Sequence, residues 1–64
     1  MVNDLESYIQ AGHNCGQAHK RQDHALYKFE RHWFNAAIAL ESDADKPRIQ
    51  AAYLKAYKAA RGIS

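Results

Sequence analysis

The stretch from Leu26 to Leu40 restricts the fold of this 64-residue chain more than any other segment. Read as a helix, it carries two apolar stripes about a third of a turn or more apart: Leu26, Phe29, Trp33, Ala36, Ala37 and Leu40 on one face, and Tyr27, Phe34 and Ile38 on the other. A helix that is apolar on two sides needs two partners. A chain this short buries only about 60% of its unfolded surface, so we expect one stripe to meet another molecule.

The rest of the chain also indicates helices, so the expected fold is all-α, with a single domain over residues 1–64. The chain is rich in Ala, Leu, Gln, Lys and Arg, contains three Gly and one Pro, and lacks alternating β-branched runs. Pro47 suits the first turn of a helix with Asp45 as its cap, and Gly62 suits the position after its end. The sequence therefore predicts an antiparallel helical hairpin of about 18–41 and 46–61.

The N-terminal part allows two interpretations, and both stay open at this stage. Asn3 followed by Glu6 is a capping-box pattern, which predicts a helix start near Asp4. If Gly12 ends that helix, it packs as a third helix against the hairpin, and we favour this version. If the apolar phase continues through Gly12 and Gly16, the N-terminal helix is continuous with the first long helix, at a cost of about 1 kcal/mol for each glycine. The glycine pair itself indicates a loop or a close helix approach.

Pairing within the hairpin decides which stripe is left for a partner. The last helix is long enough to cover the Leu26 face, so we expect the stripe of Tyr27, Phe34 and Ile38 to stay open. Aromatic side chains dominate the energetics of interfaces. The predicted protein interface consists of Tyr27, Trp33, Phe34, Ile38, Leu54 and Tyr57. The acidic residues Glu41, Asp43 and Asp45, or the basic last helix, are expected to steer the encounter.

Basic residues provide an alternative, which is binding to nucleic acid. They follow one side of the middle helix and one side of the last helix: Lys20, Arg21, Lys28, Arg31, Arg48, Lys55 and Lys58. With Tyr27 beside them, such residues can grip a phosphate backbone. The net charge is only +2, and Asp23 and Glu30 interrupt the patch, so this function ranks second.

Metal binding and catalysis have little support in the sequence. Cys15 and His19, one helical turn apart, are weak candidates for half of a zinc site, but no second half is evident and we expect no metal. The serines lack a nucleophile elbow, and no glycine-rich phosphate loop follows a strand, so we expect no cofactor and no enzyme activity.

The expected location is the cytoplasm. The longest uncharged run, from Trp33 to Leu40, is too short to cross a membrane, and the start of the chain has neither a basic lead nor an apolar segment typical of a leader. A single cysteine fits a reducing compartment.

The pairing of an Ala-rich helix, an Asp/Pro turn and a Tyr/Ala helix resembles helical-repeat hairpins such as tetratricopeptide units, although the fixed-position signature does not align and no second repeat follows. In size and class the chain is similar to the short helical accessory proteins of phages and mobile elements, which often bind and inhibit a host protein. Together with the unpartnered stripe, this resemblance implies a homodimeric interaction module that binds and modulates a larger protein, inhibition being one form of such modulation.

Overall fold

The computed structural model describes residues 2–62 and contains three α-helices within that range: α1, Leu5–Lys20; α2, His24–Ile38; and α3, Lys46–Arg61. The all-α class is confirmed, and the N-terminal helix packs as a third helix. Helix α3 has the predicted bounds. It ends as expected, because Gly62 adopts a left-handed φ of 90° and its N–H donates to carbonyls of the last turn.

The break between the first two helices lies beyond the glycines of α1, in a short turn that ends at Asp23. Gln22 adopts a left-handed φ of 59°, which stops α1. The Asp23 carboxylate then accepts a hydrogen bond from the Leu26 N–H and starts α2. The structure therefore corrects the expected bounds of about 18–41 to His24–Ile38.

Helices α1 and α3 begin without the side-chain caps that the sequence predicts. The residue before α1 is Asp4, and the amide of Asn3 donates to the Tyr8 hydroxyl instead of completing a capping box. The residue before α3 is Asp45, but its carboxylate accepts from the Ser42 hydroxyl rather than from a helix N–H. Both starts are held by contacts of the preceding turn.

Close packing of α1 on α3 determines the arrangement of the helices. A Cβ atom on Gly12 would lie 2.4 Å from the Tyr53 carbonyl oxygen, and one on Gly16 would lie 2.4 Å from the Tyr57 carbonyl oxygen. Because both pairs advance by four residues together, α1 and α3 run parallel. Glycine thus marks a close helix approach, the second of the two roles that the sequence allowed. The backbones approach closely because no side chain separates them.

The core lies where α2 packs against this pair. Tyr8 and Tyr53 are fully buried, and the Phe34 ring lies between them, stacked on Tyr53 with a centroid distance of 3.8 Å and edge-on to Tyr8 at 5.9 Å. Helix α3 packs mainly along α1 and reaches α2 through the Phe34–Tyr53 stack. The hairpin helices therefore meet through aromatic rings, with α1 supplying most of the contacts of each.

Helix α2 turns most of the Leu26 stripe outward, contrary to expectation, although Ala37 of that stripe is buried. Phe34, from the stripe predicted to stay open, is 6% exposed, whereas Phe29 and Leu40, from the stripe assigned to the last helix, are 66% and 70% exposed. The physical reason is that α3 packs against the glycine face of α1 and leaves Tyr8 and Tyr53 to be covered. Phe34 stacks on these rings and turns the Leu26 face outward.

Glu41 connects the start of the chain to the end of α2. Its carboxylate is buried and accepts hydrogen bonds from the Tyr8 hydroxyl at 2.5 Å, from the Val2 N–H at 2.7 Å and from the Asn3 N–H at 3.1 Å. The bond from Tyr8 is the main reason that the pKa of Glu41 is lowered. Glu41 is therefore a structural residue and does not belong to an exposed acidic cluster that steers a partner.

We predict that Gly16→Ala destabilises the protein by about 1–3 kcal/mol, because the new methyl group overlaps the α3 backbone and overpacking outweighs the gain in helix propensity. Urea unfolding followed by circular dichroism measures the difference. His13→Ala, at an exposed position of the same helix, is the control and should change stability by less than about 0.5 kcal/mol. A stabilising Gly16→Ala would contradict the close contact.

We also predict that stability declines at acid pH through Glu41. Because its pKa is lowered in the folded protein, its contribution is fully present above the unfolded-state value of 4.5 and is lost as the pH falls through the folded value. Urea midpoints measured from neutral pH downwards should fall less steeply in Glu41→Gln than in the wild type. Asp43→Asn, at a side chain that is 98% exposed, controls for the loss of one surface charge. Equal slopes for Glu41→Gln and the wild type would contradict the prediction.

Candidate functional site

The outward side of α2 is the most unusual surface of the molecule. We call it the outer strip: Leu26, Phe29, Trp33, Ala36 and Leu40. Leu26 is 37% exposed, Phe29 66% and Leu40 70%, while Trp33 is half-buried against Tyr8. Contiguous large apolar side chains on a small protein mark binding surfaces, because leaving each one in water forgoes about 1.5–3 kcal/mol.

A groove between α1 and α2 continues the outer strip. It has a volume of about 780 Å³ and combines an apolar floor with polar edges: Glu6, Ser7, Ile9, Gln10, Ala11, Asn14, Phe29, Glu30 and Trp33. Ile9 is 41% exposed. The lining contains two carboxylates and no Lys or Arg, and burial raises the pKa of Glu30. The groove therefore offers an apolar surface with acidic character. We refer to it as the α1–α2 groove.

The predicted interface residues are distributed over different surroundings. Phe34 belongs to the core and presents no surface to a partner. Tyr27, Ile38 and Tyr57 are half-buried, so each offers only an edge. Leu54, on the far side of α3, is 47% exposed. The structure therefore does not bring the six residues together, and of them only Trp33 contributes to the outer strip.

The sequence analysis did not predict Ile9 as a site residue, and it assigned Phe29 to the contact with the last helix. No local signal in the sequence distinguished Ile9 from the other apolar residues of α1, or one α2 stripe from the other.

Cys15 and His19 lie in different surroundings. The Cys15 side chain is fully buried in the core, and His19 Nδ1 lies 2.5 Å from the Tyr57 hydroxyl. Within residues 2–62, no three His, Cys, Asp or Glu side chains converge in a way that would hold an ion.

Beside Cys15, the Tyr53 hydroxyl is buried and has no hydrogen-bond partner among the described residues. Burial and the neighbouring Cys15 thiol raise the pKa of Tyr53, and Arg31 opposes that rise. Because Cys15 is fully buried, this cluster is closed to a substrate in this structure.

The packing of the helices places the basic residues on separate parts of the surface. Helix α2 runs antiparallel to α1 and α3. The end of α1, the start of α2 and the end of α3 therefore lie together, and His19 contacts both Tyr27 and Tyr57 there. We call this the basic end: Lys20, Arg21, Lys28, Lys58 and Arg61. A cleft of about 170 Å³ opens beside it, lined by Ala18, His19, His24 and Tyr27.

Three of the predicted nucleic-acid contacts lie elsewhere. Arg48 is in the first turn of α3, at the opposite end of the molecule, where it pairs with Asp45 at 3.6 Å. Arg31 is half-buried on α2, and Lys55 is exposed in the middle of α3. The seven predicted residues therefore do not form one continuous patch.

None of the helices in the described part of the chain is both long and apolar enough to cross a bilayer. In the comparisons with known proteins, no family model, curated protein or solved structure shows a significant match to this chain.

Proposed function

We propose that this protein is a small interaction module that binds a segment of a larger protein in the α1–α2 groove and modulates that protein, with inhibition as the expected effect. The observation that carries the proposal is the outward orientation of Phe29, beside the exposed Ile9. Packing within the chain buries Phe34 but leaves these two side chains exposed. A partner that covers them gains the hydrophobic stabilisation that the isolated chain leaves unused.

The chemistry of the groove favours a basic, amphipathic segment as its ligand. An apolar face of a helix fits a groove floored by Ile9, Phe29 and Trp33. A Lys or Arg on the same segment would lie near Glu6 or Glu30, and it would favour the charged form of Glu30, which burial disfavours.

We predict that Ile9→Glu abolishes capture of the larger partner from a lysate of the native host, because a carboxylate is placed on the apolar floor beside two others. His13→Glu, one turn further along α1 and outside the groove lining, is the matched control and should capture the partner as the wild type does. Mass spectrometry identifies the captured protein, and calorimetry with that purified protein should show at least a tenfold weaker affinity for Ile9→Glu. Equal affinity for the two variants would refute the groove as the site.

A second candidate function, nucleic-acid binding, is supported by the convergence of three helix ends at the basic end. Tyr27 contacts His19 at this end of the molecule, and an aromatic ring edge beside basic side chains is a common element of single-strand binding. The half-burial of both Tyr27 and Tyr57 limits how much of each ring can stack on a base, so this function remains second.

For this candidate, we predict retention on heparin or single-stranded DNA at low salt that disappears between about 50 and 200 mM salt. Lys28→Glu, at the basic end, should weaken retention strongly, whereas Arg48→Glu carries the same change of charge at the opposite end and should weaken it much less. Absence of retention at low salt, or equal effects of the two variants, would eliminate the candidate.

A further inference from the structure

We propose that a second copy of this chain covers the outer strip, with the two α2 helices packed antiparallel about a two-fold axis at Trp33. This inference goes beyond the proposed function, with which it shares the premise that the outward side of α2 binds protein. The two sites share Phe29 and Trp33, so a larger partner in the α1–α2 groove and a second copy on the outer strip exclude each other, whereas Ala36 and Leu40 belong to the second copy's site alone.

The spacing of the outer strip is that of a helix that pairs with another helix. Its residues follow one another at intervals of three, four, three and four, which is the a/d pattern of a coiled coil, and the last of them, Leu40, lies in the turn just after α2. Such a pattern normally faces a helix of the same bundle. Here α1 and α3 cover the neighbouring face of α2, where Phe34 and Ala37 are buried, and α1 meets the strip only along its edge, where Trp33 packs against Tyr8. The heptad face is thus left for a helix from outside the chain.

The sizes of the side chains favour the antiparallel alignment. With Trp33 at the axis, Leu26 lies opposite Leu40 of the second copy, and the large Phe29 lies opposite the small residues Ala36 and Ala37 of the second copy. A parallel alignment would set Phe29 against Phe29 and Ala36 against Ala36, which pairs two bulky rings and leaves a gap elsewhere. Close packing of large against small side chains avoids both faults.

The distribution of charge favours the same alignment. The outer strip contains no charged residue, so nothing on it has to be desolvated. Helix α2 starts at the basic end and finishes at the end that carries Asp4 and Glu6, where Asp43 and Asp45 pair with Lys46 and Arg48. Antiparallel packing places the basic end of each copy beside the acidic end of the other, whereas parallel packing would juxtapose like charges.

The contact is short, so the dimer is expected to be weak. Two heptads on a single helix from each copy bury less than the roughly 800 Å² for each partner that stable complexes bury. A dissociation constant of about 1–100 μM is in keeping with an interface of that size.

Sedimentation equilibrium over a concentration series tests the dimer. We expect the wild type to change from monomer to dimer in the micromolar range and Ala36→Glu to raise the dissociation constant at least a hundredfold, because it places a carboxylate inside the strip. Asn35→Glu has the same change of charge at the adjacent exposed position, outside the strip, and should stay within about threefold of the wild type. A wild-type monomer up to about 1 mM, or an Ala36→Glu dimer of wild-type affinity, would overturn the proposal.

Cysteine cross-linking tests the orientation. On mild oxidation, Leu26→Cys mixed with Leu40→Cys should give a disulfide-linked heterodimer, whereas neither variant alone should link to itself. Cys15 is fully buried, so the wild type serves as the control without added cysteines. Self-linking of Leu26→Cys would show parallel packing and would overturn the antiparallel arrangement.

The outcomes also separate this inference from the proposed function. If the wild type is a monomer and Ile9→Glu no longer binds the larger partner, the dimer proposal is refuted and the groove proposal stands. If the wild type is a dimer and Ile9→Glu binds the larger partner normally, the groove proposal is refuted and the dimer proposal stands.

Discussion

Backbone contact between α1 and α3 is the interaction on which the rest of the structure depends. Because Gly12 and Gly16 have no side chains, the carbonyl groups of Tyr53 and Tyr57 occupy the space where Cβ atoms would lie. This contact occupies the glycine face of α1 and holds α3 parallel to α1. Helix α2 then has a single place left, against the aromatic rings that this pair presents, and one of its two apolar sides must point outward.

Local sequence signals predicted the elements whose ends are set locally. Pro47 and Gly62 restrict the backbone by their own geometry, and α3 begins and ends beside them as expected. Gly12 and Gly16 were ambiguous because two effects of opposite sign act on them. Each lowers helix propensity by about 1 kcal/mol, and each permits a tertiary contact that only the folded chain reveals. The turn before α2 had one local signal, Asp23, and its side chain does start that helix.

The surface was harder to predict than the helices because the two apolar stripes of α2 are alike in composition. Each contains one phenylalanine, and the choice between Phe29 and Phe34 depends on the rings of Tyr8 and Tyr53, which come from distant parts of the chain. The burial of Glu41 was equally hard to predict from the sequence. A glutamate that is followed by two aspartates has the sequence pattern of a solvated cluster until the folded chain brings Tyr8 and two backbone N–H groups to it.

Parallel packing of the first and last helices also has a consequence for the timing of folding. The glycine contacts join residues 12 and 16 to residues near 53 and 57, so they close a loop that contains most of the chain. Contacts between distant parts of a sequence form slowly because the entropy of loop closure precedes their stabilisation. During synthesis, the α1 glycine face has no partner until the last turns of α3 have left the ribosome. The fold is therefore completed only after α3 has emerged, although each helix can begin to form earlier.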